Sequence, residues 1–495
     1  MKILLVYPKY PDTFWSFKHA LRFISRKAAF PPLGLLTIAS MIPKRWEKKL
    51  VDMNVTELTD DHLAWADMVF ISAMIVQKPS AEEVIARCST LGKKVVAGGP
   101  VFTTQHENFK GVDHFILNEA EVTLPLFLKD LKEGHLKPVY TSPIRPNVTQ
   151  TPLPMWSLIR FKDYATLLVQ YSRGCPFNCE FCDIIIMNGR IPRTKTPQQM
   201  VREFQALYEA GWRGSLFIVD DNFIGNRVNV KKMLRSIVKW QKNHNYPFQL
   251  FTEASTDLAA DNSLLELMRA ANFYKVFLGI ETPVKESLIE CQKVQNTNRD
   301  LGEAVRKIQQ YGMQVLGGFI VGFDTDPENI FERQIDFIQK TGVVTAMVGV
   351  LTALPQTQLW YRMKKEGRLL GESTGGNTDG VLNFKPKMKK EKLMAGYKQV
   401  MKTLYEPKQY YRRIDTFIKN YVPSVKAKMD MKGIIAFLKS MWRIGVLSRA
   451  RLWYWRLIVR TIVMKRKALP MAVELAITGQ HFEHVVKKVM PSYGD

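Results

Sequence analysis

Short apolar segments alternate with helical patterns along most of this chain, and this alternation limits the fold more than any other feature. In the first 140 residues the apolar segments are Ile3–Tyr7, Met68–Ser72, Lys94–Ala97 and His114–Leu117. Each has the length of a buried strand, and helical patterns such as Ser80–Leu91 separate them. The order strand, helix, strand predicts an α/β fold with a parallel, doubly wound sheet.

A second series of strand and helix units begins near residue 166. Its predicted strands are Thr166–Tyr171, Ser215–Val219, Phe248–Thr252, Lys275–Gly279, Gln314–Ile320 and Ala346–Leu351. Six such units predict a partial (β/α)6 barrel, a fold whose chemistry lies at the carboxyl ends of the strands. Between the two series, Ser142–Trp156 contains four prolines and is typical of an extended linker.

A chain of 495 residues is longer than one hydrophobic core usually fills, so we expect several domains. We predict a Rossmann-like domain over residues 1–140 and a linker over 141–165. The partial barrel then covers 166–385, and a basic, mainly helical domain covers 386–495.

Three of the five cysteines, Cys175, Cys179 and Cys182, follow the first barrel strand within eight residues. The spacing Cys-x3-Cys-x2-Cys is typical of iron–sulfur ligation. Three thiolates hold three irons of a [4Fe–4S] cube and leave the fourth iron open, since Cys88 and Cys291 are distant in sequence. Structural zinc needs four ligands, and such sparse cysteine usage fits a reducing cytosol.

Polar groups follow the other predicted strands of the barrel as well. They are Asp220-Asp221-Asn222, Glu253-Ala254-Ser255, Glu281-Thr282-Pro283, Gly322-Phe323-Asp324 and Thr352-Ala353-Leu354-Pro355. A single acid or serine at such a position is commonly a helix cap or a turn. Because these groups share one end of the barrel with the cysteine loop, together they predict a functional site.

The loops after the strands of the first sheet carry a second polar set. They contain Ser72-Ala73-Met74, Gly98-Gly99-Pro100 and Asn118-Glu119-Ala120-Glu121. Ligands bind doubly wound sheets at this edge, and paired glycines let a ligand approach the backbone closely. We therefore expect a second binding site there, although glycines are also ordinary turn residues.

The net charge of +25 is concentrated near the C-terminus. Residues 387–467 contain 22 lysines and arginines against 4 acidic residues, which predicts contact with a polyanion or an anionic membrane surface. Within this region, Val446–Met464 interleaves apolar residues with arginines and contains Trp453-Tyr454-Trp455, a pattern typical of an interfacial helix. The alternatives are a solvated helical face and a helix packed on the barrel.

The sequence lacks a signal-peptide pattern and any apolar stretch of membrane-spanning length. We therefore predict a cytoplasmic protein. The basic C-terminal region adds the expectation of peripheral contact at the inner membrane surface.

The whole chain resembles the radical S-adenosylmethionine (SAM) enzymes that carry an N-terminal B12-binding domain. The cysteine motif, with Phe181 before its last cysteine, is the most specific match. Other matching stretches are Phe30-Pro31-Pro32-Leu33-Gly34-Leu35, Val95-Val96-Ala97-Gly98-Gly99-Pro100, Phe217–Asn222, Gly279-Ile280-Glu281-Thr282 and Gly317–Phe323. Asn377-Thr378-Asp379-Gly380 and Asn383–Met388 resemble the extra domain of a subgroup that includes hopanoid C-2 methylases.

The resemblance implies a role for residues at three sets of positions. The cluster ligands are Cys175, Cys179 and Cys182; the SAM-binding residues are Phe181, Asp221, Asn222, Ser255 and Glu281; the cobalamin neighbours are Ser72, Gly98, Gly99 and Glu119. Two features depart from the pattern. The Asp-x-His-x-x-Gly motif is absent, with His106 and His114 in other settings, and Gln356 stands where a glycine is expected.

The resemblance also implies a reaction. The reduced cluster cleaves SAM to methionine and a 5′-deoxyadenosyl radical, which abstracts hydrogen from an unactivated carbon, and cobalamin supplies a methyl group to that carbon. We predict C-methylation of a hydrophobic, lipid-like small molecule, with a flavodoxin or ferredoxin as electron donor. Too few cysteines remain for an auxiliary cluster.

Two other functions stay open. One is radical cyclisation, rearrangement or C–C coupling without methyl transfer. The other is RNA modification, which the basic charge favours but which no recognised RNA-binding module supports, so we do not expect a nucleic-acid partner.

Overall fold

The computed structural model describes residues 1–376, 378–424 and 431–489. Asn377 of the C-terminal motif, together with 425–430 and 490–495 of the predicted helical domain, lies outside the described residues. The strands of the N-terminal part are β1 Lys2–Tyr7, β2 Glu47–Asp52, β3 Met68–Ser72, β4 Lys94–Gly98, β5 His114–Ile116 and β6 Val139–Tyr140. Its helices are α1 Lys18–Leu21, α2 Leu33–Met41, α3 Asp60–Trp65, α4 Lys78–Thr90, α5 Pro100–Gln105 and α6 Ala120–Glu133.

The N-terminal strands form one parallel sheet in the order β2-β1-β3-β4-β5-β6. Alternate residues of each strand face opposite sides, so α3, α4 and α5 bury Leu63, Val84 and Phe102 on one face. On the other face α2 and α6 bury Leu35 and Phe127. The predicted doubly wound α/β fold is confirmed, with a topological switch point between β1 and β3.

The partial barrel is also confirmed. Its strands and the neighbouring hairpin are β7 Leu167–Val169, β8 Ser172–Arg173, β9 Arg193–Thr194, β10 Gly214–Ile218, β11 Phe248–Ala254, β12 Phe273–Glu281, β13 Gln314–Val321 and β14 Thr345–Val350. The parallel order is β14-β13-β12-β11-β10-β7, and β8 pairs with β9. The helices are α7 Ile184–Met187, α8 Pro197–Glu209, α9 Arg227–Asn243, α10 Asn262–Ala270, α11 Lys285–Glu290, α12 Val294–Thr297, α13 Leu301–Gln310, α14 Ile330–Thr341 and α15 Gln358–Lys365.

The segment between β1 and α2 leaves the first sheet and joins the barrel. Phe14 and Phe23 are buried in the same core as the barrel strands, and Ala28 forms a parallel bridge with Tyr164. Phe14 also stacks on Phe482 at 4.3 Å between ring centroids. This N-terminal segment therefore connects the barrel to the C-terminal helices.

Helices follow the barrel within the described C-terminal residues. They are α16 Lys390–Tyr405, α17 Pro407–Asn420, α18 Met431–Arg443, α19 Arg451–Lys465 and α20 Leu469–Val489. The fully buried Arg413 of α17 donates to the Val344 carbonyl at 3.1 Å and so ties these helices to the barrel. No helix among the described residues is long and apolar enough to cross a membrane.

Candidate functional site

The cysteine loop follows β8 at the carboxyl edge of the barrel, where two adjacent acids hold it. Asp220 accepts hydrogen bonds from the Tyr171 N–H at 2.7 Å and from the Ser172 hydroxyl at 2.6 Å. Asp221 accepts from the Gly174 N–H at 2.8 Å. Burial raises the pKa of Asp220 to about 7, even though its donors act in the opposite direction. The acids after β10 thus fix where the loop begins.

Gly174 is required by its surroundings. Its φ is +98°, which favours glycine, and a Cβ there would lie 2.9 Å from the Gly189 carbonyl oxygen. Asn188, from the same neighbouring turn, donates to Asp221 at 2.9 Å. The first cysteine is therefore positioned by close backbone packing as well as by the acids.

The opposite side of the loop is held by Glu180. Arg362 of α15 donates to both of its carboxylate oxygens, at 2.6 and 2.9 Å, which is the strong bidentate geometry. The Glu180 N–H donates to the Cys291 carbonyl at 3.0 Å. Cys291 therefore lies beneath the loop despite its distance in sequence. Its thiol is 1% exposed and donates to the Leu288 carbonyl.

The thiols of the loop lie among groups suited to an anionic cluster. The side-chain amides of Asn222 and Gln295 donate to the sulfurs of Cys175 and Cys179, at 3.8 and 3.7 Å. Burial raises the pKa of the Cys175 thiol. Burial disfavours the charge on Lys293, but Glu281 and Cys179 more than offset this and raise the pKa of its ammonium group.

These residues fit a [4Fe–4S] cluster. Within the described ranges, no three His, Cys, Asp or Glu side chains converge on a single metal ion. A cube does not need such convergence, because its three thiolates bind three different irons. Cysteine thiolates are the usual ligands of these clusters, and hydrogen bonds to sulfur tune them.

The five residues predicted to bind SAM surround this loop. Asn222 and Ser255 follow β10 and β11, and the Asn222 amide nitrogen lies 3.2 Å from the Ser255 hydroxyl. Glu281, the last residue of β12, accepts from Lys293 at 2.7 Å. The Phe181 ring lies 6.0 Å from the same ammonium group. Asp221 completes the set through its bonds to the loop. The structure brings these side chains together, and their roles toward SAM stay predictions.

Glu281 has an unusual backbone. Its φ is +66°, and the pairing of β12 with β13 shifts register between Gly279 and Glu281. A non-glycine residue in this conformation costs on the order of 1–3 kcal/mol, a strain that clusters at functional sites. The buried ion pair with Lys293 helps to hold it there.

A cavity of about 510 Å³ lies at the carboxyl edge of the first sheet and faces the barrel; we call it the sheet-edge cavity. All four predicted cobalamin neighbours line it, namely Ser72, Gly98, Gly99 and Glu119. Gly99 has a φ of +96°, and a Cβ there would lie 2.6 Å from the Ser72 hydroxyl. The barrel contributes Gln170, Arg173 and Val219 to the opposite wall. These cobalamin assignments also stay predictions.

No histidine among the described residues lines the sheet-edge cavity. His114 is buried in β5, where its Nδ1 lies 2.8 Å from the Lys137 carbonyl. His106 packs edge-on against Phe115. The observed walls therefore agree with the absence of the histidine motif from the sequence.

An ion-pair network joins the first domain to the cysteine loop. Glu119 accepts from Arg173 and Arg193, each at 2.7 Å, and Glu121 accepts from Arg173 at 2.7 Å. Arg173 stands two residues before Cys175. Burial alone would raise the pKa of Glu121, but Arg173 outweighs it and lowers that pKa to about 2. Sequence reasoning missed both arginines, since isolated basic residues give no local signal.

Lys293 and Gln295 were also missed as members of the site. Lys293 and Gln295 fall on no strand end, and the tertiary fold alone brings them to the loop. Glu253 stood among the polar groups at strand ends, but nothing in its sequence context separates it from a turn residue.

Three family models match the chain. The B12 binding domain matches residues 21–128, the Radical SAM superfamily matches 169–338, and a domain of unknown function (DUF4070) matches 357–493. The sheet-edge cavity and the cysteine loop are built largely from the first two ranges. The fold and the site together define a radical SAM enzyme with a B12-binding domain.

Two relatives extend this result over nearly the whole chain. An uncharacterized methyltransferase of Synechocystis sp. is 43% identical over 92% of this chain and 86% of its own length. The hopanoid C-2 methylase of Rhodopseudomonas palustris is 34% identical over 93% of this chain and 89% of its own. The chain belongs to the family of cobalamin-dependent radical SAM methyltransferases. The predicted enzyme class and its cofactors, a [4Fe–4S] cluster, SAM and cobalamin, are thereby confirmed.

Solved structures support the same fold. TsrM from Kitasatospora setae, a radical SAM methyltransferase solved with cobalamin and a [4Fe–4S] cluster, has a TM-score of 0.63 at 15% identity, over 100% of both chains. The cobalamin-dependent radical SAM enzyme OxsB, solved with aqua-cobalamin, has a TM-score of 0.63 at 15% identity, over 99% of this chain and 80% of its own.

Proposed function

We propose that this protein methylates an unactivated carbon of a hydrophobic, lipid-like small molecule. The observation that carries the proposal is the position of the sheet-edge cavity, whose walls come from the glycine-rich edge of the first sheet and from the barrel beside the cysteine loop. When bound, the cluster and SAM supply a carbon-centred radical and cobalamin supplies the methyl group.

The chain's own residues hold and orient these groups. Cys175, Cys179 and Cys182 would bind the cluster, with the buried Lys293 ammonium offsetting part of its negative charge. Asn222, Ser255, Glu281, Phe181 and Asp221 would position SAM. The ion pairs of Arg173 with Glu119 and Glu121 lock the two domains together and help to exclude water between them.

An apolar substrate is supported by a relative and by the surface. The 34% identical hopanoid C-2 methylase is named for a polycyclic lipid. Helices α18 and α19 expose Leu438, Trp442, Leu452 and Val463 at 54–80%. Tyr454, Leu457 and Ile458 of α19 are buried, so this helix packs on the protein through one face and leaves the other apolar face uncovered.

We propose that these exposed residues, which we call the α18–α19 surface, contact the anionic inner face of a membrane. The arginines and lysines of the same helices complement its charge. We also propose an acidic flavodoxin or ferredoxin as electron donor, since the net charge of +25 favours an acidic partner.

Methyl transfer is tested with anaerobically prepared protein carrying cluster and cobalamin. It is supplied with reductant, methyl-deuterated SAM, and phosphatidylglycerol vesicles containing a pentacyclic hopanoid. We expect a product that gains one labelled methyl group. A product that has lost two hydrogens, or labelling of a water-soluble metabolite instead, would contradict the proposal.

Membrane contact is tested by Leu438→Asp, with Val228→Asp as a matched control. Val228 is 65% exposed on α9, outside the α18–α19 surface. In vesicle sedimentation we expect Leu438→Asp, but not Val228→Asp, to weaken binding to phosphatidylglycerol vesicles. Equal binding of both variants to phosphatidylglycerol vesicles would overturn the proposed membrane contact. Equal binding of the wild type to phosphatidylglycerol and to uncharged phosphatidylcholine would overturn it as well.

A further inference from the structure

A second cavity, of about 470 Å³, lies inside the barrel; we call it the lumen cavity. Thr166, Ser215 and Leu316, near the amino ends of β7, β10 and β13, belong to its lining. The cavity therefore extends toward the end of the barrel opposite the cysteine loop. Its volume is within the range of about 300–1,000 Å³ found for small-molecule sites.

The walls of the lumen cavity are mostly aromatic and aliphatic. Phe217 and Phe251 stack with ring centroids 4.3 Å apart, and the Phe30 ring lies 5.7 Å from Phe217. Lys275 and Glu474, two charged residues of the lining, pair with each other. Such a surface suits an uncharged hydrocarbon skeleton and disfavours a polyanion.

Distant parts of the chain close this cavity at the amino ends of the strands. Trp15 comes from the segment after β1, Ala436 and Phe437 come from α18, and Val473 and Ile477 come from α20. On α18, the neighbouring Ile434, Ile435 and Leu438 are exposed. The same helix thus lines the lumen cavity and contributes to the α18–α19 surface.

Glu253 is the polar residue at the inner end of the lumen cavity. Burial, followed by the charges of Asp221 and Asp220, raises the pKa of Glu253 to about 7. These acids belong to the carboxyl edge of the barrel, so the inner end of the cavity reaches the level of the cysteine loop. Among residues 1–376, 378–424 and 431–489, no hydrogen-bond or ion-pair partner is seen for its side chain.

The two cavities lie on either side of a short segment. Ala29 and Phe30 line the lumen cavity, whereas Leu33 and Gly34 line the sheet-edge cavity. In the same way, Phe217 of β10 lines the lumen cavity, whereas Val219, just beyond the end of β10, lines the sheet-edge cavity. A molecule in the lumen cavity would therefore have one end near both the sheet-edge cavity and the predicted SAM residues.

We propose that the lumen cavity binds the uncharged hydrocarbon skeleton of the substrate, which enters between α18 and α20, and that Glu253 positions its reacting end. This inference rests on the proposed function, because it assumes that the bound hydrocarbon is the molecule that becomes methylated. It adds the location of the site, its entrance at the amino ends of the strands and an uncharged, apolar ligand class.

The first test fills the cavity. Val473→Trp and the milder Ala436→Leu narrow the lumen cavity, and Val228→Trp places the same tryptophan on an exposed surface. The holoenzyme variants are assayed for hopanoid methylation. We expect Val473→Trp to lose about 10- to 200-fold, the range by which pocket shape discriminates substrates, Ala436→Leu to lose less, and Val228→Trp to match the wild type.

Two measurements distinguish a loss of substrate binding from misfolding of the variants. Bound cobalamin and substrate-independent SAM cleavage should be the same in all these variants, because neither uses the lumen cavity. Unchanged methylation by Val473→Trp with these readouts intact would overturn the proposal. If Val473→Trp fails to retain cobalamin, the comparison is made with Ala436→Leu, whose unchanged methylation would overturn it equally.

A binding measurement separates the site from the reaction. Titration with the fluorescent sterol dehydroergosterol should show one saturable site per chain, weakened in Val473→Trp and Ala436→Leu but not in Val228→Trp. Such binding without methylation of any hydrocarbon would contradict the proposed function but would still support the lumen cavity as a binding site. Equal sterol affinity in the wild type, Val473→Trp and Ala436→Leu would overturn the assignment of the binding site to the lumen cavity.

Glu253→Gln tests the positioning role. It should weaken sterol binding less than Val473→Trp does, because the apolar walls make most of the contact with the ligand. It should also raise the ratio of 5′-deoxyadenosine to methylated product, because the reacting end is then poorly placed. A parallel loss of both products, or no change in the ratio, would contradict a positioning role for Glu253.

Discussion

The sheet-edge cavity and the lumen cavity have similar volumes, about 510 and 470 Å³, but they are built in opposite ways. The first lies where parallel strands end, and it depends on glycines that leave room at the backbone. The second is enclosed by aromatic side chains from the barrel and from the segment after β1, and by mostly apolar side chains of α18 and α20. A cofactor site can therefore be local in sequence and set by topology, whereas a substrate site can depend on distant segments that close over a barrel.

The largest expected effect concerns the cysteine loop, which lies near both cavities. Cys175→Ala, Cys179→Ala or Cys182→Ala should each abolish cluster binding and SAM cleavage, because each removes one of three iron ligands. The checks are iron content and 5′-deoxyadenosine formation in anaerobically reconstituted protein.

Cys291→Ala and Cys88→Ala are the matched controls for this series. Both thiols are buried away from solvent, and burial raises the pKa of the Cys88 thiol to about 11. Both variants should keep their iron. Loss of iron from Cys291→Ala would mean that the cluster uses a fourth cysteine and that its open position is wrongly assigned.

A smaller effect, on cobalamin binding, is expected when a residue of the sheet-edge cavity rather than of the lumen cavity is substituted. Gly99→Ala adds a methyl group against Ser72 at φ +96° and ψ −174°, a backbone conformation that is essentially restricted to glycine and costs another residue on the order of 1–3 kcal/mol. We expect reduced cobalamin per chain with unchanged iron. Gly134→Ala places alanine in a true left-handed conformation, at φ +77° and ψ +16°, which costs about 1–2 kcal/mol, and no neighbouring atom lies within 4 Å of the new Cβ. This variant should lose stability but keep cobalamin.

Glu253 should make the stability of the apoprotein depend on pH. Its folded-state pKa of about 7 lies above the ordinary value for glutamate, so the folded state binds the proton more tightly than the unfolded state does. The free energy of unfolding should therefore fall by roughly 3 kcal/mol as pH rises from about 4.5 to 7. In urea denaturation, Glu253→Gln should lack this part of the decline. An identical pH profile in wild type and variant would show that Glu253 is not buried as described.

The smallest effect is expected at Gln356. The family pattern that the chain resembles leads us to expect a glycine there, and Gln356 has a φ of +66°. Gln356→Gly should raise the free energy of unfolding by up to about 1 kcal/mol, because it removes left-handed strain. A lower melting temperature would indicate that the Gln356 side chain makes a compensating contact.

Several of the predicted strands, such as β1, β3 and β13, are buried on both faces and so appear as largely apolar segments. Strand β2 was missed because it is the edge of its sheet. Glu47, Lys48 and Lys49 alternate between exposed and partly buried positions, which gives no apolar pattern. Strand β6, with two residues, is too short to be detected.

The candidate site was predictable where it lies at strand ends or within one motif. The cysteines, Asp221, Asn222, Ser255 and Glu281 belong to that set, as do Ser72, Gly98 and Gly99. The sequence did not reveal Arg193, Lys293 or the aromatic residues of the lumen cavity. Their positions depend on long-range packing, such as that of Trp15 and α20 against the barrel, which no local pattern encodes.

The most direct test of the central claim is an anaerobic crystal structure of the holoenzyme with cobalamin and a bound hopanoid. We predict cobalamin against Ser72, Gly98 and Gly99, and the hydrocarbon between Phe217, Phe251 and Val473 with one end at Glu253. A hydrocarbon bound outside the barrel, with the lumen cavity closed or filled by side chains, would contradict this account.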